Sequence, residues 1–558
     1  MAVMAGKRVL LELLKQEGVD IIFGNPGTTE LPLMDALAVE PGIRYVLGLQ
    51  EAAVMAMADG YAQAGHRLAV TNFHVAPGLG NAMGMLYDAK KAGAPILVTA
   101  GQHDQSFTFT EPILWDDLPP IARPLVKWSS EVHRLVELPR AIHRAAKTAL
   151  APPRGPVFLS LPGDVLTSEA EVDLGAPTRV AMGHRGDAEA IDAAAKLLLR
   201  SERPVIMAGD AVAQSRAHAE IVEVAELLGA PVYPEGVAST ASFPASHPLF
   251  KGAVTRLAPN IRALLEQHDL LFSIGGDLFT MSLPSDVDPM PKGLPIIHID
   301  TDPWELGKNY PEKVSILGDA GATLKDLLVA LKSNMTAAQR EAAKARVAAI
   351  RAAVAAELEK LKARARSEAH EVPIRPLSLM HALGELLPPE AVVIDESISS
   401  SAGLRQLIKS NDPQSFFALR GGGIGWGLPA AIGAKLALPD RPVVALIGDG
   451  SALYTCQALW TAAHEQVPVV FVILNNASYR ILKQRVNNMR GHAAQTDLYV
   501  GMDLVNPRVD FVGLARSFGL AAERATTLAE ATALVKRGIA GKEPLLIDVQ
   551  IDPAFKPV

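Results

Sequence analysis

Apolar residues along this chain fall into short strand-length runs, separated by longer stretches with helical periodicity. The opening pattern predicts a helix over 6–17 and a strand over 21–23. The loop Gly24-Asn25-Pro26-Gly27-Thr28-Thr29 follows, then a helix containing Glu30 to Leu37. Residues 44–49, 68–71, 95–99 and 157–161 read as further strands, with helices over 51–64 and 78–91 between them. Strands alternating with helices of about 10–15 residues imply crossover connections and a parallel sheet. The alternation recurs with strands at 204–208, 230–233, 270–274 and 294–299, and again at 392–394, 443–447, 469–474 and 545–549. The predicted fold class is therefore α/β, with three doubly wound parallel-sheet domains. The polar stretch 168–185 and the Ala/Arg/Lys/Glu-rich stretch 336–370, which reads as one long solvated helix, place the divisions. Domains are expected at 1–180, 181–335 and 376–558, with a linker at 336–375.

Composition narrows the class of protein. Of 558 residues, 53 are Lys or Arg and 60 Asp or Glu, a net charge of −7, so there is no basic footprint for nucleic acid. Half the residues are apolar, which excludes a disordered or collagen-like chain. The single cysteine, Cys456, forbids an intrachain disulfide and fits a reducing compartment. No apolar run reaches the length of a signal-peptide core or a membrane span. A cytoplasmic location and no membrane partner are expected.

The chemistry concentrates between Val443 and Asn476. A buried strand ends in Gly448-Asp449-Gly450-Ser451, a helix returns the chain, and the next parallel strand ends in Asn475-Asn476. Asp449 and Asn476 then meet at the carboxyl edge of the sheet, where open α/β sheets bind ligands. A carboxylate, an amide oxygen and a backbone carbonyl such as that of Ser478 are hard ligands suited to Mg²⁺ beside phosphate oxygens. Gly448 and Gly450 let the backbone approach a diphosphate, and the helix start at Ser451 favours anions.

This motif resembles the cofactor signature of thiamine diphosphate-dependent enzymes. Likeness extends along essentially the whole chain and is greatest to the benzoylformate decarboxylase branch of the pyruvate decarboxylase/acetolactate synthase superfamily. Phe23-Gly24-Asn25-Pro26-Gly27-Thr28, Leu49-Gln50-Glu51-Ala52, Asn72-Phe73-His74, Gly422-Gly423-Ile424-Gly425 and His298-Ile299-Asp300-Thr301-Asp302-Pro303 carry it. The resemblance implies thiamine diphosphate and Mg²⁺ as cofactors, with Asp449, Asn476 and Ser478 as metal ligands. Glu51 would hydrogen-bond the pyrimidine ring, Ile424 would bend the cofactor, and the carbonyl of Gly422 would accept from its amino group. Asn25, Pro26, Gly27 and Tyr479 would lie around the cofactor. Ser397, Ser399 and Ser400 could donate to the diphosphate or cap a helix. Thr28 stands where relatives have a serine that binds the substrate carboxylate, and His74 matches a proton-handling histidine.

The implied reaction is decarboxylation of a benzoylformate-like 2-oxo acid to an aldehyde and CO₂. The alternative is a carboligase or lyase of acetolactate synthase or 2-hydroxyacyl-CoA lyase type, and a non-catalytic homologue is a third reading. Relatives of the first kind carry a second histidine in the middle domain, whereas Ser282 falls near that place here. Arg480, Lys483 and Arg485 could attract an anion, although a solvated helix face is their more ordinary role. No strict G-x-G-x-x-G marks a dinucleotide site. The resemblance also implies a homodimer with shared active sites, paired into a homotetramer.

Overall fold

Three blocks of aliphatic and β-branched residues assemble into three parallel sheets in chain order. The structure is a computed structural model that describes residues 2–555. The first sheet orders its strands Arg44–Leu47, Ile21–Gly24, Ala69–Phe73, Ile96–Gln102, Val157–Pro162 and Ser129–Glu131. The last orders Phe416–Ala418, Val392–Glu396, Val443–Gly448, Val469–Asn475, Leu545–Gln550 and Ala521–Ala525. Each pair in both sheets is parallel. Counted within its own block, each sheet therefore has the same strand order, a relation the sequence hinted at only through comparable block lengths. The middle sheet has five parallel strands, ordered Val232–Pro234, Pro204–Ala208, Leu270–Ile274, Ile296–Asp300 and Val314–Leu317.

The predicted α/β class and the three doubly wound sheets are thus observed. The strands missing from the sequence reading share one physical property. Ser129–Glu131, Val314–Leu317, Phe416–Ala418 and Ala521–Ala525 all lie at sheet edges, where pairing within the sheet on one side only requires no long apolar run; residues 239–240 cover the outer flank of Phe416–Ala418. A further pair, Ala2–Ala5 with Glu169–Val172, forms a separate antiparallel ribbon. It uses part of the stretch read as a polar connector.

Two local expectations are corrected. The helix expected over 78–91 starts three residues earlier and runs from Val75 to Ala92. After Gly448, the return to the next strand is broken into Asp449–Ala452 and Ala458–His464. The long helix is present as Ala337–Ser367, opened by a capping box between Thr336 and Gln339.

The first and last sheets share one core. Helix Glu51–Gly65 lies on helix Gly427–Ala437 at glycines: a Cβ on Gly60 would sit 2.2 Å from the Ala430 carbonyl, and one on Gly433 1.9 Å from that of Met57. Buried Asp59 accepts a 2.7 Å hydrogen bond from Trp426 Nε1 across the same contact.

Strand order reverses in both outer sheets between the first and second β-strands on one side and the third on the other. The crevice beyond the carboxyl ends at such a reversal is where ligands bind in open α/β sheets. In the first sheet it lies between the loop after Gly24 and His74. In the last it lies between Ser397–Ser400 and Asp449–Ser451.

Candidate active site

At the first crevice, His74 occupies the N-cap of helix Val75–Ala92, with its imidazole about one-fifth exposed. Its Nδ1 lies 2.9 Å from Glu30 Oε2 and 3.1 Å from Thr29 Oγ1. Glu30 is buried and also accepts from the Gly27 amide at 2.8 Å and the Thr29 hydroxyl at 2.7 Å. Because Thr29 spends its proton on Glu30, both of these oxygens act as acceptors toward Nδ1. The ring therefore carries its proton on Nδ1 and leaves Nε2 for a substrate. The Glu30 hydrogen bond raises the His74 pKa above its ordinary value, against burial, which lowers it.

Backbone geometry holds this arrangement tightly. A Cβ on Gly27 would lie 2.2 Å from the His74 ring, so glycine is required for the close approach. Val75 is buried with φ 45°, a left-handed conformation that costs a β-branched residue about 1–3 kcal/mol. Thr28, by contrast, is exposed on the same turn. The sequence reading singled out Thr28 and His74 and missed Thr29 and Glu30, whose spacing looks like an ordinary first helical turn.

Glu51 begins helix Glu51–Gly65 and is buried. Its Oε2 accepts from Asn81 Nδ2 at 3.0 Å and its Oε1 from Asn25 Nδ2 at 3.5 Å. The negative charge of Glu51 is a further influence raising the His74 pKa. Helix Val75–Ala92 thus orients both groups, with His74 at its cap and Asn81 two turns in.

At the second crevice, the ladder pairs Gly448 with Leu474, which sets Asp449 beside the turn after Asn475. Burial pushes the Asp449 carboxyl up to about 6, and the N–H groups of Gly450, Ala477, Ser478 and Asn476 partly offset this. Asp449 Oδ1 accepts from Gly450 N at 3.0 Å, whereas Oδ2 is buried without a hydrogen bond of ordinary geometry. Asn476 Oδ1 accepts from Ser478 N at 3.0 Å and Ser478 Oγ at 2.8 Å. Among the described residues no group of three or more His, Cys, Asp or Glu side chains could hold a metal. A cation here would instead take one carboxylate with amide and carbonyl oxygens, a hard donor set that suits Mg²⁺. The orphaned Asp449 oxygen fits such an ion.

The serine loop is similarly prepared. Ser400 Oγ is buried without a partner, Ser397 Oγ donates to Asp395, and Ser399 Oγ lies 3.4 Å from Arg480 Nε. An unpaired buried hydroxyl is costly unless a ligand satisfies it. A Cβ on Gly450 would lie 2.6 Å from the Tyr479 ring, so this backbone lies close against the aromatic side chain.

Loop Gly422–Gly427 is clamped from below. Glu396 accepts from Gly425 N at 2.6 Å and Gly427 N at 2.5 Å, and Thr455 Oγ1 donates to the Gly425 carbonyl at 2.5 Å. Burial pushes Glu396 up to about 7. Asp88, pushed up to about 8 by burial, accepts from Gly423 N at 3.1 Å. The result is an exposed Gly422 at φ 90° and a half-buried Ile424 on a rigid turn. Glu396, Thr455 and Asp88 were not singled out from sequence, since buried clamps of this kind carry no local signature.

Arg480 corrects the expectation of a solvated face. It is 7% exposed and donates to the Ser399 and Asp552 carbonyls. Lys483 pairs with Asp503.

Comparison with known proteins matches residues 4–112 to the thiamine pyrophosphate enzyme N-terminal TPP binding domain. Residues 191–327 match the central domain, and 398–549 the C-terminal TPP binding domain. The chain is 35% identical to a benzoylformate decarboxylase of Pseudomonas aeruginosa, over 96% of this chain and 97% of that one. It is 32% identical to a probable acetolactate synthase large subunit of Methanocaldococcus jannaschii, over 99% of this chain and 92% of the other. A solved thiamine diphosphate-dependent 4-hydroxybenzoylformate decarboxylase of Rhodococcus jostii RHA1 superposes with a TM-score of 0.86. It is 32% identical and covers 99% of this chain and 100% of its own.

Proposed function

The chain belongs to the thiamine pyrophosphate enzyme family, and from that premise we propose that it decarboxylates a benzoylformate-like 2-oxo acid to an aldehyde and CO₂, using thiamine diphosphate and Mg²⁺. The observation that carries this reading is the His74–Glu30–Thr29 cluster beside the oriented carboxyl of Glu51. Bound here, thiamine diphosphate would supply a nucleophilic carbon and an electron sink for decarboxylation.

The chain's own residues do the rest. Asp449, Asn476 and the carbonyl of Ser478 would hold Mg²⁺, and Ser400 with the Gly448–Ser451 backbone would meet the diphosphate. Ser397, Ser399 and Tyr479 complete that wall, while Asn25, Pro26 and Gly27 border the ring. Gly422 would accept from the ring's amino group above Ile424. Glu51, fixed by Asn25 and Asn81, would hold a proton at the ring nitrogen. Thr28 presents its hydroxyl to the substrate carboxylate, and His74 Nε2 moves a proton at the substrate.

The proposed domains are 1–180 for the pyrimidine, 181–335 between, 336–375 as linker and 376–558 for the diphosphate. Glu51 and Asp449 would meet across a homodimer interface, with dimers paired into tetramers, in the cytoplasm. Among the described residues, no helix is long and apolar enough to cross a membrane.

Incubation of the protein with benzoylformate, thiamine diphosphate and Mg²⁺ tests the reading by measuring CO₂ and benzaldehyde. Stoichiometric release that falls by about 10²-fold or more in Glu51→Gln supports it; full activity in that variant refutes the mechanism. One observation favours a carboligase as second reading: residues 275–282 contain no histidine, so no imidazole from that segment protonates the product. A 2-hydroxy ketone formed at the expense of aldehyde when an acceptor aldehyde is added would establish that alternative.

A further inference from the structure

Residues 255–257 and 282–283 of the middle region face helix Arg480–Asn488 across a cavity of about 500 Å³, whose lining also includes Ala554 and Phe555. The helix contributes Ile481, Gln484, Arg485 and Asn488. These are positions i, i+3, i+4 and i+7, one face of the helix. Arg256 enters from the other side, its carbonyl accepting from Ser282 N at 3.4 Å. No Asp or Glu lines the cavity. Among the described residues, neither guanidinium has an ion-pair or hydrogen-bond partner, in a chain whose acids outnumber its Lys and Arg. Burial and the positive charge of Arg485 both lower the pKa of Arg256.

The helix lining the cavity starts beside the proposed metal site. Ser478 precedes the helix by two residues, and Arg480 at its first position ties it to Ser399. Arg256 is exposed and Arg485 half-buried, so water screens their mutual repulsion in part, and a carboxylate or phosphate received between them would be held with bidentate geometry. Ser282, Gln484 and Asn488 add neutral donors around the same space.

We propose that Arg256 and Arg485 receive a second oxyanion at the far end of the substrate, so that the preferred 2-oxo acids are dianionic. This rests on the decarboxylase reading for the identity of the reacting end. The anion site itself is tested without turnover. Glutarate, pentanoate and benzoate are titrated calorimetrically into the cofactor-loaded protein, and inorganic phosphate is used to compete. Glutarate is expected to bind at least about tenfold more tightly than either monoanion, and to lose about tenfold in both Arg485→Met and Arg256→Met, each checked for wild-type circular dichroism. Displacement by phosphate at lower concentration than by acetate would assign the distal group as a phosphate ester; the reverse would assign a carboxylate. Glutarate binding no tighter than pentanoate or benzoate, or unchanged in both variants, overturns the inference even where benzoylformate is decarboxylated. Arginine-dependent glutarate binding with no CO₂ from 2-oxoglutarate, 2-oxopentanoate or benzoylformate upholds the anion site and refutes the decarboxylase reading instead.

Discussion

His74 and Glu30 lie 44 residues apart in sequence and share a hydrogen bond of 2.9 Å at the crevice of the first sheet. The contact fixes which imidazole nitrogen carries the proton and raises the affinity of the ring for a second one.

Replacing Glu30 by glutamine keeps the shape and removes the charge. The His74 pKa, now above its ordinary value, should fall, and the limb of the kcat/KM profile governed by His74 should move toward acid. The stabilisation from this pair is present below pH of about 6.5 and fades as pH rises through the folded-state value. Glu30→Gln should therefore destabilise the protein more at pH 6 than at pH 9 by chemical denaturation. An unmoved limb would show that His74 is not the titrating group. His74→Ala itself should lower kcat by about 10²–10⁴-fold while thiamine diphosphate still binds.

Removing the metal should separate binding from folding. Chelation is expected to abolish activity reversibly, with Mg²⁺ restoring it, and Asp449→Ala should weaken thiamine diphosphate binding by about tenfold or more. The same substitution gives up the Gly450 N–H bond to Oδ1 but also removes a buried carboxylate whose Oδ2 has no partner, so these opposing effects should leave the thermal midpoint of the cofactor-free protein near wild type. Fluorescence titration with thiamine diphosphate and a thermal melt check both halves. Unchanged cofactor affinity would place the ion elsewhere.

How far the sequence reveals all this depends on where each residue's partners come from. Central strands are legible because both faces are buried, so residues 469–474 form an unbroken apolar run, while edge strands such as Ser129–Glu131 carry no such mark. Asp449 and Asn476 are legible because one crossover unit fixes their relation. Glu30, Glu396 and Asp88 are not, since their roles come from contacts at sequence separations of 29 to 335 residues. Arg480 was misjudged for the same reason: its partners Ser399 and Asp552 lie 81 and 72 residues away.

The glycine contact between helices Glu51–Gly65 and Gly427–Ala437 makes a stability prediction. Gly433→Ala drives a methyl into the Met57 carbonyl, which cannot yield without separating two helices of one core. Overpacking of this kind costs about 1–3 kcal/mol, although alanine's better helix propensity returns up to about 1 kcal/mol. The thermal midpoint should fall by several degrees. Gly80→Ala is the control: it sits in a helix with nothing within 4 Å of its Cβ and should be neutral or stabilising.

Complementation tests the shared site most directly. Within this chain the hydrogen bonds of Glu51 go to Asn25 and Asn81, and among the described residues none joins it to Asp449. If each site takes Glu51 from one protomer and Asp449 from its partner, Glu51→Gln and Asp449→Ala homodimers are both inactive. A mixed dimer, however, gathers both lesions into one site and leaves the other whole. Random mixing makes about half the dimers mixed, each with one working site of two, so co-expression in equal amounts should restore about a quarter of wild-type activity, given the two-fold symmetry of such a dimer. Sites contained within single chains would give none. The assay is CO₂ release from the co-expressed pair, compared with the two variants mixed after separate purification, where recovery should appear only as fast as subunits exchange.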